Sequence, residues 1–309
     1  MQTFLRPYQT ENDYWRIRQF LREVFLLNER REQSWQAYRF DYWRWHGIEN
    51  MGQGTLEEKV FLWETPGGAL AAVLNPESPG SVQMQLHPHH RSPVLMDEII
   101  ATAEMHLGVE RPDGRKLFFW AQKDDAELRG LLARRGFVER SDVCETMRWR
   151  SLFEPIPERP PAEGYTIRSL GGPEELPARS WASFRGFHPD DPADQYDGWT
   201  WYLNIQRAPL YRRDLDLVAA AEDGSIASFC TIWFDDVTRT GAFEPVATVP
   251  EHLRLGLAST VMLEGMRRLQ RLGATLATVG SNSEPAHSLY ASVGFTKFLL
   301  ATPWEKHLN

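Results

Sequence analysis

The chain has 309 residues, is 42% hydrophobic and 25% charged, and carries a formal net charge of −8. This is the composition of a globular protein with a real core, long enough for two domains, and the negative charge argues against nucleic acid and anionic membrane as partners. No apolar run approaches the roughly 20 residues of a membrane span. The opening "MQTFLRPYQT" lacks the apolar stretch of a secretion signal. Cys144 and Cys230 fit neither a disulfide framework nor a metal spacing, so a reducing, cytoplasmic setting is expected.

In chain order, the first half opens on a short strand in "FLRPYQTEND" (4–13). The aromatic stretch "SWQAYRFDYWRWHGIEN" (34–50) offers surface for packing on the second half or for its own domain's core. His87, His89 and His90 of "HPHH" are either metal-ligand candidates or a loop. Met96, Ile99, Ile100, Ala103 and Leu107 share one helical face, closed by Gly108. Residues 151–164, with Pro155, Pro157, Pro160 and Pro161, predict an extended, exposed linker.

After the linker, "GYTIRSL" reads as a strand and Asp223-Gly224 as a hairpin turn. "GAFEPVATV" is the next strand. Pro245 within it has no N–H for a ladder and predicts a bulge or an edge. Ala258, Val261, Met262, Gly265, Met266, Leu269 and Leu272 make one helical face, with Gly273 as the C-terminal cap. "ATLATVG" is a strand, "EPAHSLYASVGF" a short helix, and a last strand follows. The alternation predicts an α/β or α+β fold.

The two halves resemble each other. Arg6 matches Arg168 and Pro88 matches Pro250 at an offset of 162, and Gly136-Phe137 matches Gly294-Phe295 at 158. Matches in one order at nearly constant offset predict a tandem duplication. The expected domains are 1–150 and 165–309, with the linker between them.

The stretch "VPEHLRLGLAST" (249–260) joins a strand to the long helix of the second half. A helix N-terminus offers free N–H groups and partial positive charge, small residues admit a phosphate to the backbone, and an arginine adds a charged donor. Residues 254–259 are therefore a candidate phosphate seat, or a tight turn with no ligand. No Gly-Lys-Ser/Thr follows, so this is not a Walker loop.

The series strand, "PEHLRLGLA", helix, strand, "SNSEPAHSLYASVGF" resembles the GNAT superfamily of N-acetyltransferases. The family's Gln/Arg-x-x-Gly-x-Gly/Ala pattern falls on Leu253 to Ala258, and its Asn-x-x-Ala-x-x-Leu-Tyr-x-x-x-Gly-Phe on Ser283, Ala286, Leu289, Tyr290, Gly294 and Phe295. Leu253 and Ser283 depart from it, with Asn282 one residue before Ser283. The resemblance implies two tandem GNAT-like domains, each a mixed, mostly antiparallel sheet flanked by helices, with a splayed pair of parallel strands. It implies acetyl-CoA as acyl donor, held by Arg254, Leu255, Gly256, Leu257, Ala258 and Ser259, by backbone groups near Ala247 and Val249, and by Asn282, Ser283 and Ala286.

Acetyl transfer to an alkyl amine of pKa roughly 10.4 needs a base. The resemblance gives that task to Glu244 and thiolate protonation to Tyr290, with a backbone N–H near Val249 for the oxyanion. Read from the residues alone, Glu244 is equally an exposed or ion-paired carboxylate and Tyr290 a core aromatic. Cys230 with His188 is a second nucleophile candidate with no motif behind it. Asp190, Asp191, Asp194 and Asp197 beside Trp199, Trp201, Tyr202 and Tyr211 suit a cationic acceptor or a solvated loop over packed aromatics.

Alignment on the repeat puts Pro93, Val94 and Met96 opposite Leu255, Gly256 and Ala258, and Leu132 opposite Tyr290. The first copy is thus expected to be a degenerate, non-catalytic partner. The expected activity is acetyl-CoA-dependent N-acetylation of a small primary amine by direct attack, with no metal. The alternative is a non-catalytic acyl-CoA-binding or assembly module.

Overall fold

The computed structural model describes residues 2–308. Its first half contains β1 (Phe4–Pro7), α1 (Glu11–Leu27), α2 (Ala37–Tyr42), α3 (Leu56–Lys59), β2 (Phe61–Glu64), β3 (Leu70–Ser78), β4 (Ser81–Leu86), α4 (Pro93–His106), β5 (Val109–Arg111), β6 (Gly114–Gln122), α5 (Ala126–Arg134), β7 (Val138–Glu139) and β8 (Glu145–Ser151). There follow β9 (Tyr165–Ser169), α6 (Leu176–Phe187), α7 (Trp201–Ile205), β10 (Asp216–Ala221), β11 (Ile226–Asp235), β12 (Thr240–Thr248), α8 (Leu257–Arg271), β13 (Leu276–Ser281), α9 (Glu284–Ser292) and β14 (Lys297–Leu308). The tandem, mixed α/β architecture is as predicted.

Two compact units form. One runs to Thr146 and takes in the chain from Leu299 on; the other is Met147–Phe298. The first orders its strands β1-β2-β3-β4-β6-β14, with β5 beside β6 and β7 beside β14. The second orders them β8-β13-β12-β11-β10-β9. These limits differ from those expected at the proline-rich stretch, because the last strand of each half joins the other unit. A repeat in the sequence orders residues along the chain but does not choose which sheet edge a strand will pair with. The stretch 151–164 is not a free tether either. Leu152 is buried, Ile156 and Ala162 pack on the second unit's core, and Arg267 Nη2 donates to Pro157 O at 2.7 Å.

The duplication recurs in three dimensions. Arg6 Nη2 meets Asp13 Oδ1 at 2.6 Å, and Asp13 Oδ2 accepts the Gln9 N–H at 3.0 Å. In the second unit Arg168 Nη2 meets Glu175 Oε1 at 2.7 Å, and Glu175 accepts the Gly171 N–H at 2.7 Å. Each pair ties the first strand to the helical segment after it. Hydrogen bonding to Arg6 holds the Asp13 carboxyl down at about 2, and that to Arg168 lowers Glu175.

Each sheet contains one parallel pair that separates. β12 and β13 pair at Thr240↔Leu276, Gly241↔Ala277 and Ala242↔Thr278, and then diverge. β4 and β6 pair at Ser81↔Phe118 and Val82↔Phe119 before parting. In the second unit α8 covers the face carrying Ile232 and Phe243, and α6 the face carrying Phe229. Val261, Met262, Met266 and Leu269 of α8 are fully buried, each contributing about 1.5–3 kcal/mol. Gly265 lets the helix approach closely: a Cβ there would stand 2.3 Å from Ile232 Cδ1. The aromatic stretch of the first half serves its own core, where Trp35, Phe40 and Trp43 pack with Tyr14 and Phe20.

Candidate functional site

In the second unit, β12 leads through a tight turn at Pro250–His252 into Leu253, Arg254, Leu255 and Gly256, and then α8. Arg254 and Gly256 are both left-handed, at φ 66° and 74°. Glycine adopts this freely, whereas Arg254 holds it at a cost of about 1 kcal/mol. A left-handed residue between right-handed ones turns successive N–H groups inward and makes an anion-binding concavity. The N–H groups of residues 254–259, which include Leu257, Ala258 and Ser259, find no acceptor in the protein among the described residues. A Cβ at Gly256 would meet only Ser259 Oγ, at 3.7 Å, so the space beside it is open. The side chains of Leu253 and Leu255 are exposed.

A cation stands at this loop that sequence reasoning missed. Arg159, from the proline-rich stretch, donates from Nη1 to Ser259 Oγ at 2.5 Å, and Ser259 Oγ donates on to Gly256 O at 2.7 Å. Neither Arg159 nor Arg254 has a carboxylate partner among the described residues. Nothing in a run of prolines marks one arginine for this place.

The strand above the loop requires a correction. Val249 N–H donates to Ala227 O at 2.9 Å, and β11 pairs with β12 at Phe229↔Ala247 and Ser228↔Thr248. Alternation along an antiparallel ladder then points the backbone groups of Ala247 and Val249 at β11. Those of Val246 and Thr248 face the gap left by the departing β13. The expectation for Ala247 and Val249 was displaced by one residue because the bulge shifts the register. That bulge falls at Glu244-Pro245, where pairing steps between Cys230↔Val246 and Ile232↔Phe243, and Trp233 Nε1 donates to Glu244 O at 2.6 Å.

On the far side of the gap, α9 begins after Asn282 and Ser283, with Ser283 as its N-cap and no side-chain cap bond. Ala286 and Leu289 pack on the core, and Tyr290 lies within it at 6% exposed, its ring edge-on to Phe295 at 6.3 Å. The Tyr290 hydroxyl makes no hydrogen bond with the protein among the described residues. Burial raises its pKa above the ordinary value, and the neighbouring Cys230 and Glu244 raise it further. It is a protonated donor through the neutral range, within electrostatic reach of Glu244. Two neighbours carry unused polar atoms: Ser281 Oγ and His287 Nε2 are buried without partners among the described residues. Both lie within or beside the motif that pointed to Tyr290, and neither is distinguished by residue type alone.

Other expectations resolve differently. Cys230 is fully buried, which pushes its thiol well up, and His188 pairs with Asp191 at 3.1 Å, so they are no nucleophile and base. Tyr202 and Tyr211 donate to the buried Asp216 at 2.6 and 2.9 Å beside the fully buried Arg179. They hold the fold rather than line a cation pocket. No group of three metal-ligating side chains occurs among the described residues.

In the first unit the tight turn at Pro88–His90 is followed only by Arg91 and Ser92 before α4. The second loop is thus two residues longer. The structural counterpart of Gly256 is Ser92, the helix N-cap, rather than Val94 as a constant offset implied.

A splayed parallel strand pair with an amide-lined loop at the following helix defines the acyltransferase fold known as GNAT. Residues 175–295 match the model of the acetyltransferase (GNAT) family. The match lies within the second unit, and the chain is an acyltransferase of the GNAT type. It is 26% identical over 265 residues to a mycothiol acetyltransferase of Segniliparus rotundus, covering 80% of this chain and 94% of that one. It is 24% identical over 249 residues to one of Pseudarthrobacter chlorophenolicus, covering 75% of this chain and 71% of that one. A GCN5-related N-acetyltransferase from Sphaerobacter thermophilus superposes with a TM-score of 0.67 at 17% identity, over 99% of this chain and 96% of that one. A tandem GNAT protein from the clavulanic acid biosynthesis pathway also gives 0.67, at 13% identity, over 100% and 99%.

Proposed function

We propose that this chain uses acetyl-CoA to acetylate a primary amine of a small acceptor by direct attack in a ternary complex, with chemistry confined to the second unit. The observation that carries the reading is one continuous feature. A loop of unspent amides opens onto a gap between diverging strands, and that gap lies beside a buried tyrosine whose hydroxyl is uncommitted. Bound acetyl-CoA would supply an activated thioester acyl group. The amides of 254–259, with Arg254 and Arg159, hold its phosphates, since open amides and unpaired cations on one helix N-terminus suit an anion. The backbone groups of Val246 and Thr248 pair with its amide-bearing arm as an added strand would.

Glu244, at the bulge, takes the ammonium proton of the acceptor directly or through one water. Tyr290 O–H gives a proton to the departing sulfur, and its raised pKa keeps that proton in place until then. Tyr196 is the acceptor-side candidate: its hydroxyl is buried without a partner among the described residues, with Trp181 edge-on at 5.2 Å. The relatives named mycothiol acetyltransferase support a small-molecule acceptor. Two free cysteines, Cys144 and Cys230, suit a reducing cytoplasm. A non-catalytic acyl-CoA-binding or assembly module would use the unspent amides but gain nothing from the uncommitted Tyr290 hydroxyl beside them.

The test is incubation of the full chain with acetyl-CoA and a panel of small primary amines, reading free thiol. Amine-dependent release is expected. Absence of release with every amine, together with no calorimetric binding of acetyl-CoA, would remove the reading.

A further inference from the structure

The first unit keeps a cleft where its own strands part. It measures about 390 Å³ and lies between the ends of β4 and β6, the segment before α2 and the start of α5. This volume is in the range of small-ligand sites.

Its lining is unlike the gap of the second unit. Arg91 is held by Asp125 at 2.6 Å and Glu127 at 3.1 Å, and Arg39 by Glu32 at 2.9 Å and Glu145 at 3.5 Å. Both guanidiniums are therefore more than neutralised, and Asp124, also in the lining, has no ion pair among the described residues. The neighbouring helix N-terminus is closed. Ser92 Oγ accepts the Leu95 N–H, and Pro93 has none to offer. A phosphate would meet carboxylates beside a helix start that is already capped.

Two residues of the lining carry unspent polar atoms just beneath its surface. Trp35, 3% exposed, has a buried Nε1 with no acceptor, and Gln122 Oε1 is buried with no donor, among the described residues. Buried polar groups without partners are costly, at about 1–3 kcal/mol each. Here a donor and an acceptor are left over behind the wall of one acidic, aromatic-lined cleft.

We propose that the first-unit cleft is a second ligand site, for a small organic ammonium that also carries a carbonyl or hydroxyl oxygen. The ammonium answers the excess carboxylate and Gln122 Oε1, and the oxygen answers Trp35 Nε1. The proposal is independent of the acyl-donor reading of the second unit.

The test uses the full chain labelled with 15N-tryptophan and the probe 5-aminopentanamide, which has an ammonium and a carboxamide on one chain. Hexanamide is its neutral isostere. The Trp35 indole resonance, assigned by its loss in Trp35→Phe, is expected to shift saturably with the amine and not with hexanamide. By calorimetry Trp35→Phe should weaken the amine about tenfold, as loss of one buried hydrogen bond does. Asp124→Asn, at an exposed site that leaves folding alone, should weaken it about twofold. Gly256→Glu, in the other unit, should leave it unchanged. No shift at Trp35, an equal shift with hexanamide, or an amine affinity lost in Glu244→Gln but kept in Trp35→Phe and Asp124→Asn would each overturn the proposal. So would a shift of Trp35 by adenosine 3′,5′-bisphosphate, which would make the cleft a phosphate site.

Discussion

The two strand-to-helix loops differ by two residues, and that difference separates their chemistry. In the first unit Ser92 caps α4 with its own hydroxyl and Pro93 removes one amide, so the helix N-terminus is largely satisfied from within. In the second, Leu253–Gly256 replaces that compact cap with a wider loop in which Arg254 and Gly256 take left-handed conformations. No side chain caps α8, and its first amides have no acceptor among the described residues. A helix N-terminus is stabilised equally by a cap or by a bound anion. One copy took the cap and gained stability; the other left the position open, which suits a phosphate group.

The comparison breaks most sharply at Gly256. Gly256→Glu places a Cβ in a left-handed position and a carboxylate in the anion seat. Acetyl-CoA binding by calorimetry should disappear, and the wild-type chain should show one site. Two equivalent sites would show that the closed loop of the first unit binds as well. Next in size is Tyr290→Phe, with turnover down about 10²–10⁴-fold and acetyl-CoA affinity intact. The ring still fills its place by Phe295, so a lost fold would show that the hydroxyl matters to packing instead.

A smaller effect is expected at Arg159. Arg159→Gln should raise the Kd of acetyl-CoA about tenfold, the worth of one charge-assisted contact, and leave S-acetylpantetheine, which has no phosphate, unaffected. An equal loss with both thioesters would mean that the substitution disturbs the loop rather than a phosphate contact. Acid should weaken both units. Asp13 and Glu175 are held below their ordinary values by arginines, so their stabilisation is full above those values and is lost as pH falls through the lowered ones. For Asp13 the window runs from 3.8 down to about 2, and about 2 kcal/mol of stability is lost across it. Asp13→Asn should flatten the fall in Tm between those limits. Smallest is Ser92→Ala, which should cost about 1 kcal/mol in thermal unfolding and leave acetyl-CoA binding untouched.

Much of this was legible in the sequence because it is local. The 3.6-residue spacing from Val261 to Leu269, the Asp223-Gly224 turn and the ladder-breaking Pro245 each carry their physics in adjacent residues. The alternation of elements predicted the mixed fold, and the Leu-Tyr-x-x-x-Gly-Phe run singled out Tyr290. What was not legible depends on partners distant in the chain. Arg159 meets Ser259 100 positions away, and no local pattern records that. Which backbone groups face the gap, those of Val246 and Thr248 rather than Ala247 and Val249, depends on how one bulge shifts a ladder. The two extra residues before α8 were absorbed by a constant-offset alignment, which is blind to a loop's length until both helix starts are known.

The exchange of final strands has a consequence for how the chain is made. β14 pairs with both β6 and β7, so the first unit has a missing interior strand until Leu299 and its successors have been translated. The second unit needs only Met147–Phe298, all of which is synthesised earlier. The half that leaves the ribosome first is therefore the half completed last, and until then its β6 edge is open to pairing with another chain. A stop codon at Leu300 would take most of β14 from the amino-terminal unit while leaving every residue of Met147–Phe298 in the chain.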